Sequence, residues 1–123
     1  MERKTYEAVM EWKDFSLNDI KSEKIIVSSS MKNSDITVVR SPREALERAK
    51  TLGFNHVLLS GGGILNSVFL KENLIDEIIL NIDPYILGKG INIFQEDNFE
   101  KNLKLVSVKK LKKDIVQVKY KAN

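Results

Sequence analysis

The chain reads as an α/β fold with three layers. Its sheet is mixed but mostly parallel, helices flank it, and a C-terminal antiparallel hairpin completes it. Three observations predict this. From Ile36 to Ile82, apolar runs of strand length alternate with helical patterns, which argues parallel pairing through crossovers. A triple glycine, Gly61-Gly62-Gly63, joins one such run directly to one such helix. Leu103–Leu111 and Ile115–Tyr120 are two strand-like runs around Lys112-Lys113-Asp114, a hairpin pattern. A length of 123 residues predicts one domain, 1–123, able to bury roughly two thirds of its unfolded surface.

Taken in order, Thr5–Trp12 predicts a short helix with Tyr6, Val9 and Met10 on one face. The polar stretch Asp14–Lys24 reads as a loop. Lys24–Ser28 and Ile36–Val39 are strands, joined by a polar turn over Ser29–Asp35. Ser41-Pro42-Arg43-Glu44 is a helix start, with serine at the N-cap, proline at N1 and glutamate at N3 closing a capping box. Ala45, Leu46, Ala49 and Leu52 form its apolar stripe, and Gly53 stops it. His56–Ser60 reads as a strand. After the glycines, Ile64, Leu65, Val68 and Phe69 share a helical face. Asp76-Glu77 leads into a strand at Ile78–Ile82. Pro84 suits a strand exit, and Gly88 and Gly90 permit positive φ.

Composition removes several function classes. The chain is 42% hydrophobic and 30% charged, as in an ordinary globule. It has no cysteine and one histidine, His56, which excludes disulfides, thiolate sites and histidine-cluster metal sites. No apolar run nears the ~18 residues of a membrane span. Met1-Glu2-Arg3-Lys4 is not followed by the apolar region of a signal peptide. A cytoplasmic setting is the expectation. Net charge is +3 but uneven: residues 1–100 carry 12 basic and 16 acidic side chains, and residues 101–123 carry eight lysines and one acid. Those lysines alternate with Leu103, Leu105, Val106, Val108, Val116, Val118 and Tyr120, and no aromatic stacking set accompanies them. They read as guards on an exposed sheet edge rather than as a nucleic-acid surface.

Ser60-Gly61-Gly62-Gly63-Ile64-Leu65 is the segment with chemistry. A strand, a glycine turn and a helix N-terminus in succession offer close backbone approach and unpaired N–H groups to an anion. The same glycines also serve as a tight connection. The motif is neither the dinucleotide fingerprint nor a Walker loop.

The stretch Ser60–Phe94 as a whole narrows this. The glycine turn and helix, the Asp76-Glu77 strand start, and Pro84…Leu87-Gly88-Lys89-Gly90…Phe94 occur in that order. This arrangement resembles the C-terminal reductase domain of bifunctional riboflavin-biosynthesis deaminase-reductases, a domain similar to dihydrofolate reductase. The resemblance implies hydride transfer from NADPH, with NADH as the alternative, to a pyrimidine or pterin-like ring. It implies three cofactor-binding loops. Arg3-Lys4-Thr5 resembles the family's Gly-Arg-Lys-Thr phosphate segment, with Glu2 in place of the glycine. Ser28-Ser29-Ser30 stands where the family has a Ser-Arg pair at the 2′-phosphate, and Lys32 is the nearby point charge. Ser60, Gly61, Gly62, Gly63, Ile64 and Leu65 take the pyrophosphate, and Asn66 looks toward cofactor or substrate.

In that family a strand, a helix and a second strand precede the segment matched by Arg3-Lys4-Thr5. The resemblance therefore implies that inner strands beside the substrate are missing here, and no residue is named as a catalytic acid. A second reading follows: a shortened, non-catalytic nucleotide-binding or assembly module. It also implies unpaired edges on both sides of the Val57 strand, closed either by re-pairing within the chain or by a second copy. A homodimer with the lysine-rich hairpin facing solvent is expected.

Overall fold

The structure is a computed structural model that describes residues 1–13, 16–32 and 35–123. Parts of the loop predicted over Asp14–Lys24 and of the turn predicted over Ser29–Asp35 therefore lie outside the described residues.

Helix α1 (Arg3–Met10) buries Val9 but leaves Met10 53% exposed, so the predicted face is narrower than its spacing suggested. Strands β1 (Ile25–Val27) and β2 (Thr37–Val39) pair in parallel, with Ile26 opposite Val38. Both of these central residues are buried, and Ile26 at 1% exposure is the best-buried large side chain. Helix α2 (Pro42–Thr51) packs on this pair through Ala45 and Ala49, whose small side chains permit close approach. Its start uses the predicted cap. Ser41 Oγ accepts from Glu44 N at 3.2 Å, and proline occupies the first turn. The Glu44 carboxylate closes one residue early, accepting from Arg40 N at 2.7 Å rather than from the N-cap amide. Gly53, at φ +86°, ends the helix in a conformation that disfavours any side chain.

Helix α3 (Gly63–Lys71) turns Leu65, Phe69 and Leu70 inward and leaves Ile64 half-exposed. It is tied to the later chain by polar groups. Ser67 Oγ accepts from Gln95 N at 2.9 Å, and Lys71 pairs with Asp97, whose carboxyl that hydrogen bond holds below its usual range.

Strands β3 (Glu77–Ile82), β4 (Lys104–Lys110) and β5 (Val116–Lys121) form an antiparallel sheet in the order β3-β5-β4. The predicted hairpin is present, turning through Lys112–Asp114 with Lys113 and Asp114 at positive φ. Strand β4 lies at the sheet edge, where Lys104, Lys109 and Lys110 guard it as expected. Register places Ile78, Tyr120 and Leu105 in one row and Leu80, Val118 and Val108 in the next, so one sheet face is apolar.

The predicted strand at His56–Ser60 is a correction. The segment joins no ladder, and the parallel pairing expected between Ile36 and Ile82 is confined to β1 and β2. The reason lies in its neighbours. A cavity separates it from β1 on one side and another separates it from β3 on the other. Extended backbone becomes a strand only when an adjacent strand meets its N–H and C=O groups, and neither neighbour does. The chain is thus α/β with its sheet parted into a parallel pair and an antiparallel trio. It does not close the gap by pairing its own strands in another order. No described helix is long and apolar enough to cross a membrane.

Candidate functional site

Three backbone segments converge at Glu2. Its amide donates to Gly61 O at 2.6 Å, and its backbone bridges to Val27 at the end of β1. Its carboxylate lies against Gly62: a Cβ built there would fall 2.9 Å from Glu2 Oε2 and 3.0 Å from Thr5 Oγ1. A side chain at Gly62 would therefore push aside the Glu2 and Thr5 side chains at the start of α1. Gly61 needs to be glycine for a different reason, a φ of +97°. The Gly61–Gly62 peptide bond is cis. At Gly63 a Cβ would meet Asn92 O at 2.8 Å, so the passing chain excludes a side chain there too.

Gly62 is the N-cap of α3 and supplies no side-chain acceptor. The first-turn amides thus have no cap from their own element, and the helix dipole places partial positive charge there. The start of α1 is likewise uncapped by any side chain. Two uncapped helix starts meet at one point, with the Thr5 hydroxyl between them. Unpaired first-turn amides of this kind are the groups that bind anions at helix starts. The Glu2 carboxylate stands at the same place, an internal anion against the glycine turn.

The serine loop begins one residue beyond the Val27 bridge. Ser28 is buried, and its hydroxyl accepts from Ser30 N at 3.3 Å and Met31 N at 3.0 Å. That hydroxyl is committed to shaping the turn, which leaves Ser29 and Ser30 exposed at its tip. Arg40 holds the loop from below: its Nη1 donates to Ser28 O at 2.6 Å and Met31 O at 2.7 Å. Sequence reasoning missed this residue. The only signal was a cation at the end of β2 immediately before a helix N-cap.

The other candidates are placed as follows. Arg3 Nη1 contacts both oxygens of Glu7 at 2.8 Å, so its guanidinium is engaged along the surface of α1. Lys4, Lys32 and Ser60 are exposed. Leu65 is 6% exposed and its side chain belongs to the core, which leaves only its backbone to face a ligand. Asn66 Nδ2 donates to Ile93 O at 2.8 Å, while its buried Oδ1 has no partner among the described residues. The structure thus brings together Thr5, Gly61, Gly62 and the root of the serine loop, and leaves Arg3 and Lys4 on the rim. Among the described residues, no group of three or more His, Cys, Asp or Glu side chains is placed to hold a metal.

Comparison with known proteins bears on this arrangement. The model of the RibD C-terminal domain matches residues 6–117. A Bacillus subtilis (strain 168) relative, the uncharacterized protein YwjB, is 32% identical over 81 residues, which is 65% of this chain and 47% of the relative. The chain spans about half the length of the curated relatives it matches. Among solved structures, a Shewanella sp. PV-4 protein named for riboflavin biosynthesis aligns over 100% of this chain and 72% of its own, with a TM-score of 0.80 and 22% identity. Acinetobacter baumannii RibD aligns over 99% of this chain and 46% of its own, with a TM-score of 0.73 and 17% identity. At these identities the structural matches establish the fold alone, that of a dihydrofolate reductase-like domain.

Proposed function

This chain belongs to the RibD C-terminal domain family, and from that premise we propose that it is the dinucleotide-binding part of an NADPH-dependent reductase acting on a pyrimidine or pterin-like ring. The observation that carries this is the meeting of two uncapped helix starts at Gly61–Gly63 and Thr5, one residue from the serine loop. The residues fit a pyrophosphate. Amides from Gly63 to Leu65 and the Thr5 hydroxyl would hold it, beside the Glu2 carboxylate that lies against Gly62. The adenosine end would lie on Ser29 and Ser30, with Arg40 and Lys32 facing a 2′-phosphate. Bound NADPH supplies a hydride. What the chain's own residues do is bind and orient the cofactor, and Asn66 with its unpaired buried Oδ1 is the group nearest in role to a substrate contact.

The test is a titration with NADPH and NADH, repeated in Arg40→Gln. Loss of a charged contact to phosphate should weaken NADPH roughly tenfold, the equivalent of about 1.4 kcal/mol, while NADH affinity stays within twofold. An equal loss for both cofactors would reduce Arg40 to a prop for the Ser28–Met31 loop. No binding of either cofactor would reject the reading itself.

A second reading, a non-catalytic nucleotide-binding or assembly module, is favoured by one observation: the parted sheet on both sides of His56–Ser60. Either reading is served by a homodimer. The apolar face of β3-β5-β4 leaves Ile82, Leu105 and Val108 each more than half exposed, and a second copy would cover them. Light scattering at micromolar concentration should give twice the 14.1 kDa chain mass, and a monomer would remove this contact.

A further inference from the structure

The chain between β3 and Asn92 stands off the body of the molecule. Tyr85, Ile86, Leu87 and Ile91 in this segment are each at least 78% exposed. A side chain added at Gly88 or at Gly90 would meet nothing within 4 Å. Turns of its own shape the segment: Tyr85 N donates to Asp83 O and Lys89 N to Leu87 O, each at 2.8 Å. Its ends are fixed. Ile82 closes the β3 ladder opposite Val116, and Ile93 O accepts from Asn66 Nδ2 at 2.8 Å. Large apolar side chains held out together from anchored ends mark a contact surface.

Lysines stand at the same end of the sheet. Ile82 and Lys110 pair with one residue, Val116, from opposite sides. Strands β3 and β4 run in the same direction, both antiparallel to β5. The exit of β3 and the β4–β5 turn therefore leave the sheet side by side, about 10 Å apart. The hairpin end carries Lys109, Lys110, Lys112 and Lys113, all exposed, and the apolar segment carries Lys89. The acids over the same residues are Asp83 and Asp114, and Asp114 is taken up by Lys110 at 3.0 Å. Edge protection accounts for Lys109 and Lys110, which lie in β4. It does not account for Lys112 and Lys113, which lie beyond the ladder.

We propose that this end of the sheet rests on the surface of an anionic lipid bilayer. Ile86 and Leu87 enter the boundary between headgroups and acyl chains, with Tyr85 and Ile91 beside them, and the lysines lie on the lipid phosphates. Surface binding of this kind draws on buried apolar area and on the attraction of basic residues to anionic lipid at once. Both stand here at one end of one sheet. Two other occupants fit less well. A second copy would set this lysine cluster against its own like. A single-stranded nucleic acid stacks its bases on aromatic rings, and Tyr85 is the one ring among the four exposed side chains.

Co-sedimentation of the 123-residue chain with vesicles tests this. The chain should pellet with vesicles of phosphatidylcholine and phosphatidylglycerol in equal parts, and bind phosphatidylcholine alone at least about tenfold more weakly. Ile86→Asp with Leu87→Asp, and separately Lys112→Glu with Lys113→Glu, should each weaken binding to the mixed vesicles about tenfold. All four side chains are exposed, so the circular dichroism spectrum should not change. Equal affinity for both vesicle types, or binding to neither, would overturn the proposal. So would binding that the two aspartates leave unchanged, since it would need no apolar entry. A lipid-free dimer that the aspartates split would assign the segment to a second copy. Oligothymidine that displaces the vesicles from the wild-type chain, but not from the Lys112→Glu, Lys113→Glu variant, would assign the surface to nucleic acid. Either of these results also overturns it.

Discussion

Purified alone, the 123-residue chain should oxidise NADPH with dihydrofolate, or with the ribosylaminopyrimidine of riboflavin synthesis, at a rate below about 10⁻³ s⁻¹. Typical enzymes turn over at about 10 s⁻¹, so the expected deficit is at least ~10⁴-fold. Two separate losses produce it. Among the described residues, the carboxylate found against the glycine turn is that of Glu2, which the proposed site puts on the phosphate side rather than beside the ring. Absence of a positioned acid or base costs roughly 10²–10⁴. The second loss is positional. His56–Ser60 would form the floor under a bound ring, yet among the described residues it has no ladder on either edge. A displacement of 1 Å at a reacting centre costs on the order of 10². Steady turnover with either substrate would show that the parted sheet is no obstacle to catalysis.

Replacing Glu2 by glutamine should strengthen NADPH binding about tenfold, or ~1.4 kcal/mol. The carboxylate lies against Gly62, at the positive end of α3. At an effective dielectric near 20, two unit charges 4 Å apart repel by about 4 kcal/mol, and exposure of this half-buried group reduces that figure. Glutamine keeps the volume and the backbone bond to Gly61 while removing the charge. The gain should shrink as salt rises, because the repulsion is screened over about 10 Å at 0.1 M. Fluorescence titration at two ionic strengths measures both. An unchanged affinity would mean that no phosphate approaches Glu2, and would move the cofactor away from α1.

Features written in local chemistry were legible. Ser41-Pro42-Glu44 capped α2 and Gly53 ended it, because capping depends on residues within four positions. The turn at Lys112–Asp114 was legible for the same reason. What failed depended on partners far along the chain. Arg40 reaches carbonyls 12 and 9 residues away, and Asn66 reaches Ile93, 27 residues on; no spacing rule announces either. Helical period grouped Met10 with Val9, but whether anything packs opposite is a tertiary fact. The run Val57-Leu58-Leu59 has strand propensity whether or not a neighbour exists, so its pattern could not show that its ladders are empty. The resemblance named the glycine turn and Thr5 together, and the fold brings these two close to each other. The Glu2 carboxylate was foreseeable only as a substitution, and its place against Gly62 required the fold.

The glycine turn is the proposed binding place of a nicotinamide dinucleotide. Following the backbone amide resonances of Gly61, Gly62, Gly63 and Ile64 during NADPH addition tests that most directly. These four should shift together and saturably, with Thr5 and Ser29 following, and Gly62→Val should abolish the shifts while the remaining spectrum stays folded. Shifts confined to the lysine-rich hairpin, or saturable binding that leaves the glycine amides unmoved and survives Gly62→Val, would contradict it.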